Sequence, residues 1–506
     1  MSVRANIVAN YVGQGFASLL SIALVPVYIR YLGIEAYAIV GLFVVMQSWM
    51  ALLDLGMTPT LGRETARFTA GSVDIQFIRD LLYSLEFLYF GLAAAVAVIL
   101  TLGAPVLAQH WLKVETLPLA TVTSALSILA VVVALRFCEG IYRGGLMALQ
   151  QQIWVNFVST LLALVRSLGA LAVLQWVSPT IIAFLAWQGL VSLISVVVLA
   201  VRLRTSLPAA PRRSAFSPAV LRKVGGFASG VFLISLLGVF LTQVDKLLLS
   251  RLLPLAEFGY FMLASTMVGV LYLVSWPVVQ AINPRLVQLV EAADEQALAQ
   301  AYHRASQLVT VLLAPAVMVL LLFSRGVILA WSGDTALTAG VAPILGLLAL
   351  GTGIHAVMQL PAMLQLAAGW TGLSLRINIV AVAILVPALF VLVPRGGTVA
   401  AAAVWAVLNI GYVLAMIPLM HRRLLRGEMV AWYANDIGLP LLAVLAVTVP
   451  AALVAPMLGL TRWTWLAFLC GVGLSALVAA ALAAPLVRAP ALAVAATVTR
   501  RAFASR

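Results

Sequence analysis

VANYVGQGFASLLSIALVPVYI (8–29), RYLGIEA (30–36) and YAIVGLFVVMQSWMALLDLGMT (37–58) stand in succession near the start of the chain. The first run carries no charge and the second carries only Asp54. A helix needs roughly 20 apolar residues to cross the hydrocarbon of a bilayer. Two such runs joined by seven residues holding Arg30 and Glu35 therefore predict two membrane-crossing helices and a short loop. Arg4 and a run of this length, without a small-x-small cleavage site, predict an uncleaved first span rather than a signal peptide.

The same pattern repeats along the chain. Further spans are expected near 80–103, 118–138, 151–173, 179–201, 226–249, 257–281, 304–324, 340–361, 373–393, 398–419, 437–456 and 464–487, giving about fourteen. Of 506 residues, 64% are hydrophobic and 9% charged, and the mean hydropathy is +1.12. Soluble domains carry about 25% charged residues, so this composition excludes a soluble enzyme. The net charge of +14 does not indicate nucleic acid, because the basic residues lie in short gaps between apolar runs. Cys138 and Cys470 form neither a disulfide framework nor a metal site, and no metal or organic cofactor is expected.

With the N-terminus placed in the cytoplasm, 22 basic residues fall on the cytoplasmic side and 6 on the other, leaving Arg166 and Lys246 inside spans. Cytoplasmic loops are enriched in Lys and Arg, so an even number of spans with both termini cytoplasmic is expected. Arg30, Tyr37 and Arg63 recur as Arg251, Tyr260 and Arg285, at offsets of 221, 223 and 222 residues. GLMALQ (145–150) also resembles LPAMLQ (360–365). These echoes predict a six-helix bundle over 1–205, a cytoplasmic linker over 206–225, a second bundle over 226–425, and two accessory helices with a basic tail over 426–506. Substrate in such repeat transporters binds at the repeat interface.

NIVANYVGQGFASLLSIALVPVYIRYLGIEAYAIVGL (6–42), LDLGMTPTLGRETAR (53–67) and TQVDKLLLSRLLPLAEFGYF (242–261) resemble the bacterial polysaccharide-export and O-antigen (Wzx-type) flippases. These belong to the multidrug/oligosaccharidyl-lipid/polysaccharide (MOP) exporter superfamily. The resemblance implies two six-helix bundles in a V shape plus two further helices, in the bacterial inner membrane. It implies movement of an undecaprenyl-pyrophosphate-linked oligosaccharide, an O-antigen or other surface polysaccharide unit, from the cytoplasmic to the periplasmic leaflet. Expected partners are that substrate, membrane lipids, a polysaccharide polymerase and a chain-length regulator. No phosphate-binding GxxxxGK[ST] motif is present, so an ion gradient, of H+ or Na+, or the gradient of the substrate itself is expected to drive transport. Rival readings are a lipid II flippase or a multidrug cation antiporter of the same superfamily. A membrane-embedded glycosyltransferase or polymerase is a further rival, which the lack of a large extramembrane loop disfavours.

A pyrophosphate crossing hydrocarbon requires cations and hydrogen-bonding groups, and ionisable residues inside spans usually face a cavity. Arg166, in mid-span, is the leading phosphate contact because a guanidinium binds phosphate bidentately; the bland alternative is a structural pair with a buried acid such as Glu86. Arg136, Glu139 and Arg143 share a helix face at i, i+3 and i+7, as a substrate-attracting or merely topogenic cluster. Asn10, Gln14 and Ser18 continue a polar stripe from Asn6 to Ser21, suited to sugar hydroxyls or to helix–helix hydrogen bonds. Lys246 is a second phosphate contact or a snorkelling side chain. Adjacent residues on a helix point about 100° apart, so it need not pair with Asp245. Glu86, Asp245, Asp54 and His355 are the ion-coupling candidates. For Asp54 the bland alternative is a contact with Arg63 or a neighbouring loop, and for His355 a packing role.

Overall fold

The computed structural model describes residues 15 and 20–489, apart from the side chains of residues 223–235, 237, 238, 241 and 371. Asn10, Gln14 and Ser18 lie outside the described residues. The fold is all-α, with no strand among the described residues. Inside a bilayer every backbone N–H and C=O must find a partner within the protein, which a helix provides along its own length.

Helix packing groups the chain into two compact units, Met1–Gly259 and Tyr260–Arg506. The first contains α1 (Leu20–Leu32), α2 (Ile34–Met50), α3 (Met57–Thr69), α4 (Ile75–Val106), α5 (Leu119–Ala148), α6 (Gln152–Trp176), α7 (Ile181–Ser206) and α8 (Pro218–Leu252). The 206–225 segment and α8 thus belong by packing to the first unit, where α8 lies against α2, α3 and α4. The basic segment ahead of α8 is tied to the start of α4. Arg212 pairs with Asp80 at 3.1 Å, Ala215 donates its N–H to Asp80, and Ser217 donates to Ser84.

After α9 (Leu255–Val268), which straddles the boundary, the second unit contains α10 (Val270–Glu291), α11 (Glu295–Leu322), α12 (Ser324–Ser332), α13 (Thr335–Ala367) and α14 (Thr371–His421). It ends with the short α15 (Met429–Ala431), a π-helical turn Trp432–Gly438, α16 (Leu439–Val454) and α17 (Arg462–Ala483). Acidic residues sit at helix ends: Asp294 and Asp334 each accept backbone N–H groups from the first turn that follows. That capping satisfies donors that have no partner in the helix itself.

Eleven helices among the described residues are long and apolar enough to cross a membrane. Their outward faces are apolar, with Leu102 74% exposed, as lipid contact requires. The chain is a multi-pass membrane protein. One of the eleven, α14, is two arms rather than one rod. Its backbone breaks at Gly397, at φ 55° and ψ −144°, a conformation open to glycine. The Tyr412 hydroxyl donates to Asn378 Oδ1; along a straight helix these residues would stand about 50 Å apart. The chain therefore doubles back at Gly397, between the expected spans 373–393 and 398–419.

Candidate functional site

In the first unit, α5 and α6 bring together the charges that the sequence singled out on each. Arg166 Nη2 lies 3.6 Å from Glu139 Oε1. The Arg166 side chain is 15% exposed and that of Glu139 7%. Arg136 and Arg143 are close enough for their charges to act on Arg166, and the Arg136 guanidinium also lies over the Phe43 ring at 5.8 Å. Three guanidiniums thus share one neighbourhood with one carboxylate, and among the described residues Arg166 alone is within ion-pair distance of it. The Nε atoms of Arg136 and Arg166 and the Oε1 atom of Glu139 are buried without a hydrogen-bond partner among the described residues.

Arg166 thus lies beside a buried acid, as the bland alternative held, but that acid is Glu139. Glu86 is not its partner, since its carboxylate is held by Arg204 through Nη2 at 2.8 Å and Nε at 3.2 Å. That fork-on-carboxylate geometry is the strong form of an ion pair, so Glu86 is committed to α7. A surplus of positive charge under partial burial is costly unless an anion completes it. Chemically, the α5–α6 cluster is suited to holding an anion.

The neighbourhood is built by close approach of helices. The Ser21 hydroxyl lies 3.1 Å from that of Ser167, and the Tyr28 hydroxyl donates to the Ser167 carbonyl at 2.7 Å. The described end of the polar stripe therefore ties α1 to α6. Asp54 accepts from the Thr58 hydroxyl at 2.7 Å and the Thr58 N–H at 3.0 Å, and from the Tyr89 hydroxyl. Asp54 pins the turn into α3 rather than meeting Arg63, which lies beside Glu64. Tyr89 in turn stacks on Phe137 at 4.4 Å, next to Arg136. Thr58 reaches this position because Gly144 has no side chain: a Cβ there would stand 2.3 Å from the Thr58 methyl. Gly144→Ala is expected to destabilise the protein by about 1–3 kcal/mol through overpacking, read as a lower unfolding temperature in detergent. An unchanged temperature would refute this packing.

Asp245 and Lys246 do meet, although neighbours on a helix need not. Lys246 Nζ folds back to the Thr242 carbonyl at 2.8 Å and stands 3.3 Å from both Asp245 oxygens. Its flexible stem overcomes the angular offset. In the second unit, His355 Nδ1 lies 2.9 Å from the Tyr272 hydroxyl, and its ring lies 5.7 Å from that of Trp405.

A model of the polysaccharide biosynthesis protein family matches residues 3–290. The chain belongs to that family. No curated protein sequence matches the chain. Among solved structures, an inward-closed lipid II flippase MurJ is similar at a TM-score of 0.70 with 12% identity, over 94% of this chain and 98% of that one. An inward-facing multidrug resistance MATE transporter of the MOP superfamily aligns at 0.60 with 15% identity, over 82% and 95%. A MOP superfamily transporter from Pyrococcus furiosus aligns at 0.54 with 15% identity, over 84% and 95%. The fold is that of the MOP transporters, as the sequence resemblance implies.

Two clusters escape sequence reading. Glu35, at the start of α2, accepts the N–H groups of Glu115, Thr116 and Leu117 at 2.6, 2.9 and 2.8 Å, clamping the loop ahead of α5. His303 on α11 lies 2.5 Å from Asp436 through Nδ1 and 3.1 Å from Glu428 through Nε2. Gln307 donates to the other Asp436 oxygen at 3.0 Å. A histidine beside acids at the water boundary of a span is the signal for such a latch, but the partners lie 133 and 125 residues away.

Proposed function

We propose that the chain is a flippase for an undecaprenyl-pyrophosphate-linked oligosaccharide, carrying it from the cytoplasmic to the periplasmic leaflet of the bacterial inner membrane. The observation that carries this reading is the surplus of guanidinium charge beside the single acid Glu139: Arg136 and Arg166, both partly buried, and the exposed Arg143. A pyrophosphate supplies the missing negative charge, and its oxygens match the donor fork of arginine. Membership of the polysaccharide biosynthesis family and the MOP fold support the same direction. A site for cationic drugs requires the opposite balance of charge. The sugar chain is the hydrated part of the cargo, and the polyprenyl tail remains in lipid throughout.

Transport rather than bond-making is the proposed activity, driven by H+ or Na+. Asp54, Asp245 and His355 are the carriers proposed for the ion; Glu86 is the weakest because Arg204 occupies it. Lys246 serves as a secondary cation at the outer end of α8. The charge asymmetry of the loops supports cytoplasmic termini. A polymerase and a chain-length regulator that act on the delivered unit are the proposed partners.

Deletion of the gene tests this reading. Lipid-linked oligosaccharide is expected to accumulate on the cytoplasmic side while peptidoglycan synthesis continues. An arrest of peptidoglycan synthesis would instead indicate a lipid II substrate, and loss of drug resistance without any accumulated glycan would indicate an antiporter.

A further inference from the structure

A cavity of about 890 Å³ opens beside α10 and α11 in the second unit, and its walls are chemically divided. Its polar part is Arg285, Gln300 and Arg304, and its apolar part includes Pro277, Ala281, Ile282 and Leu308. By contrast, the grooves along α14 and beside α2 are lined almost entirely by hydrocarbon side chains. Neither Arg285 nor Arg304 forms an ion pair or hydrogen bond among the described residues.

The division follows depth. Arg285 stands six residues before the end of α10 and Arg304 nine residues after the start of α11, so at 1.5 Å per residue both lie within about 9–14 Å of the turn joining the helices. Pro277 lies about 12 Å deeper than Arg285 by the same rise. The loop charges assign that turn to the cytoplasmic face. The charged end of the cavity is thus at headgroup depth and the apolar end at the depth of acyl chains.

The third wall is the stretch after α17, with Pro485, Leu486 and Ala489. It is fixed in place: the Leu486 N–H donates to Gln307 Oε1 at 2.8 Å, and Gln307, 2% exposed, is held by Asp436. Two of the three walls of the cavity, α11 and the stretch after α17, are therefore joined through a buried side chain.

We infer that this cavity binds an anionic phospholipid of the cytoplasmic leaflet. Its phosphate lies on Arg285 and Arg304, and an acyl chain runs along Pro277, Ala281, Ile282 and Leu308. Basic pockets between membrane helices on the cytoplasmic side suit such headgroups, because guanidinium forks match phosphate and no acid competes for them. A zwitterionic lipid supplies the same hydrocarbon without the net charge. The lipid joins the end of α17 to α10 and α11, and so acts as a fastener of the accessory helices. This inference does not depend on the identity of the transported glycan.

The test is lipid retention by the full-length protein, measured by native mass spectrometry with phosphatidylglycerol and phosphatidylcholine of identical chains. The wild type is expected to retain phosphatidylglycerol preferentially. R285Q/R304Q is expected to weaken that binding about 30-fold, from about a fivefold electrostatic contribution per arginine, whereas R285K/R304K keeps most of it. Leu308→Trp, which leaves both charges and fills the apolar end, is expected to reduce phosphatidylglycerol retention as well, so that misfolding of one variant does not decide the result. Equal retention of the two lipids by the wild type, or unchanged phosphatidylglycerol retention in R285Q/R304Q, would overturn the inference and leave these arginines a topogenic role. Displacement of phosphatidylglycerol by undecaprenyl diphosphate, but not by further phosphatidylglycerol, would overturn it in favour of the transported lipid.

Discussion

Arg166→Ala is expected to slow glycan export about 100-fold while the protein still inserts into the membrane. The magnitude follows from losing a charge-assisted, two-pronged contact to phosphate, about 3 kcal/mol in total. The variant also strands Glu139, which is 5% exposed and loses its partner at 3.6 Å. A structural explanation therefore competes with the functional one, and the double variant Arg166→Ala/Glu139→Gln separates them. Neutralising the stranded acid restores stability in either case. If Arg166 serves only to neutralise Glu139, export returns with it; if Arg166 meets the substrate, export stays low. Arg166→Lys is expected to fall between, since it keeps the charge and loses the fork. Export is read as surface glycan, and insertion as the amount of full-length protein in membranes.

Asp436→Ala is expected to cost about 3–5 kcal/mol, the range for removing one partner from a buried charged pair. Asp436 is fully buried and joins the turn preceding α16 to both His303 and Gln307 on α11. Both His303 nitrogens face carboxylate oxygens, and the imidazolium, with two N–H donors, satisfies both. Without Asp436 the charged ring retains only Glu428, and Gln307 loses the acceptor that orients it toward Leu486. Limited proteolysis in detergent is expected to release the region after residue 421 sooner than in the wild type. An unchanged digestion rate and unfolding temperature would show that the latch contributes nothing.

The helical plan was legible because lipid imposes a simple rule on sequence: a crossing must be apolar for its whole length. Read from polar gap to polar gap, that rule placed two arms on either side of RGGT (395–398), within the continuous run of α14. The residues of the cationic cluster were legible too, since Arg136, Glu139 and Arg143 share one face by spacing, and Arg166 is a lone charge in mid-span. Their mutual pairing was not. Glu139 and Glu86 are both plausible partners for Arg166 by span position, and only the packing of α5 on α6 and of α4 near α7 decides between them. The Asp245–Lys246 pair was missed for a different reason, because helical angles describe where Cβ points and not where a four-carbon stem can bend. His303, Glu428 and Asp436 were invisible because hydropathy treats each as an ordinary boundary residue, and nothing in the spacing joins positions so far apart.

The central claim is that the guanidinium cluster carries the diphosphate of a lipid-linked glycan across the bilayer. The most direct measurement is the transbilayer movement of an undecaprenyl-diphosphate oligosaccharide in liposomes containing the purified full-length chain, read by a glycan-cleaving enzyme added outside. The account predicts protein-dependent movement that is lost when Arg136, Arg143 and Arg166 are all changed to glutamine and is slower for the monophosphate. Movement at the wild-type rate in that triple variant would contradict it.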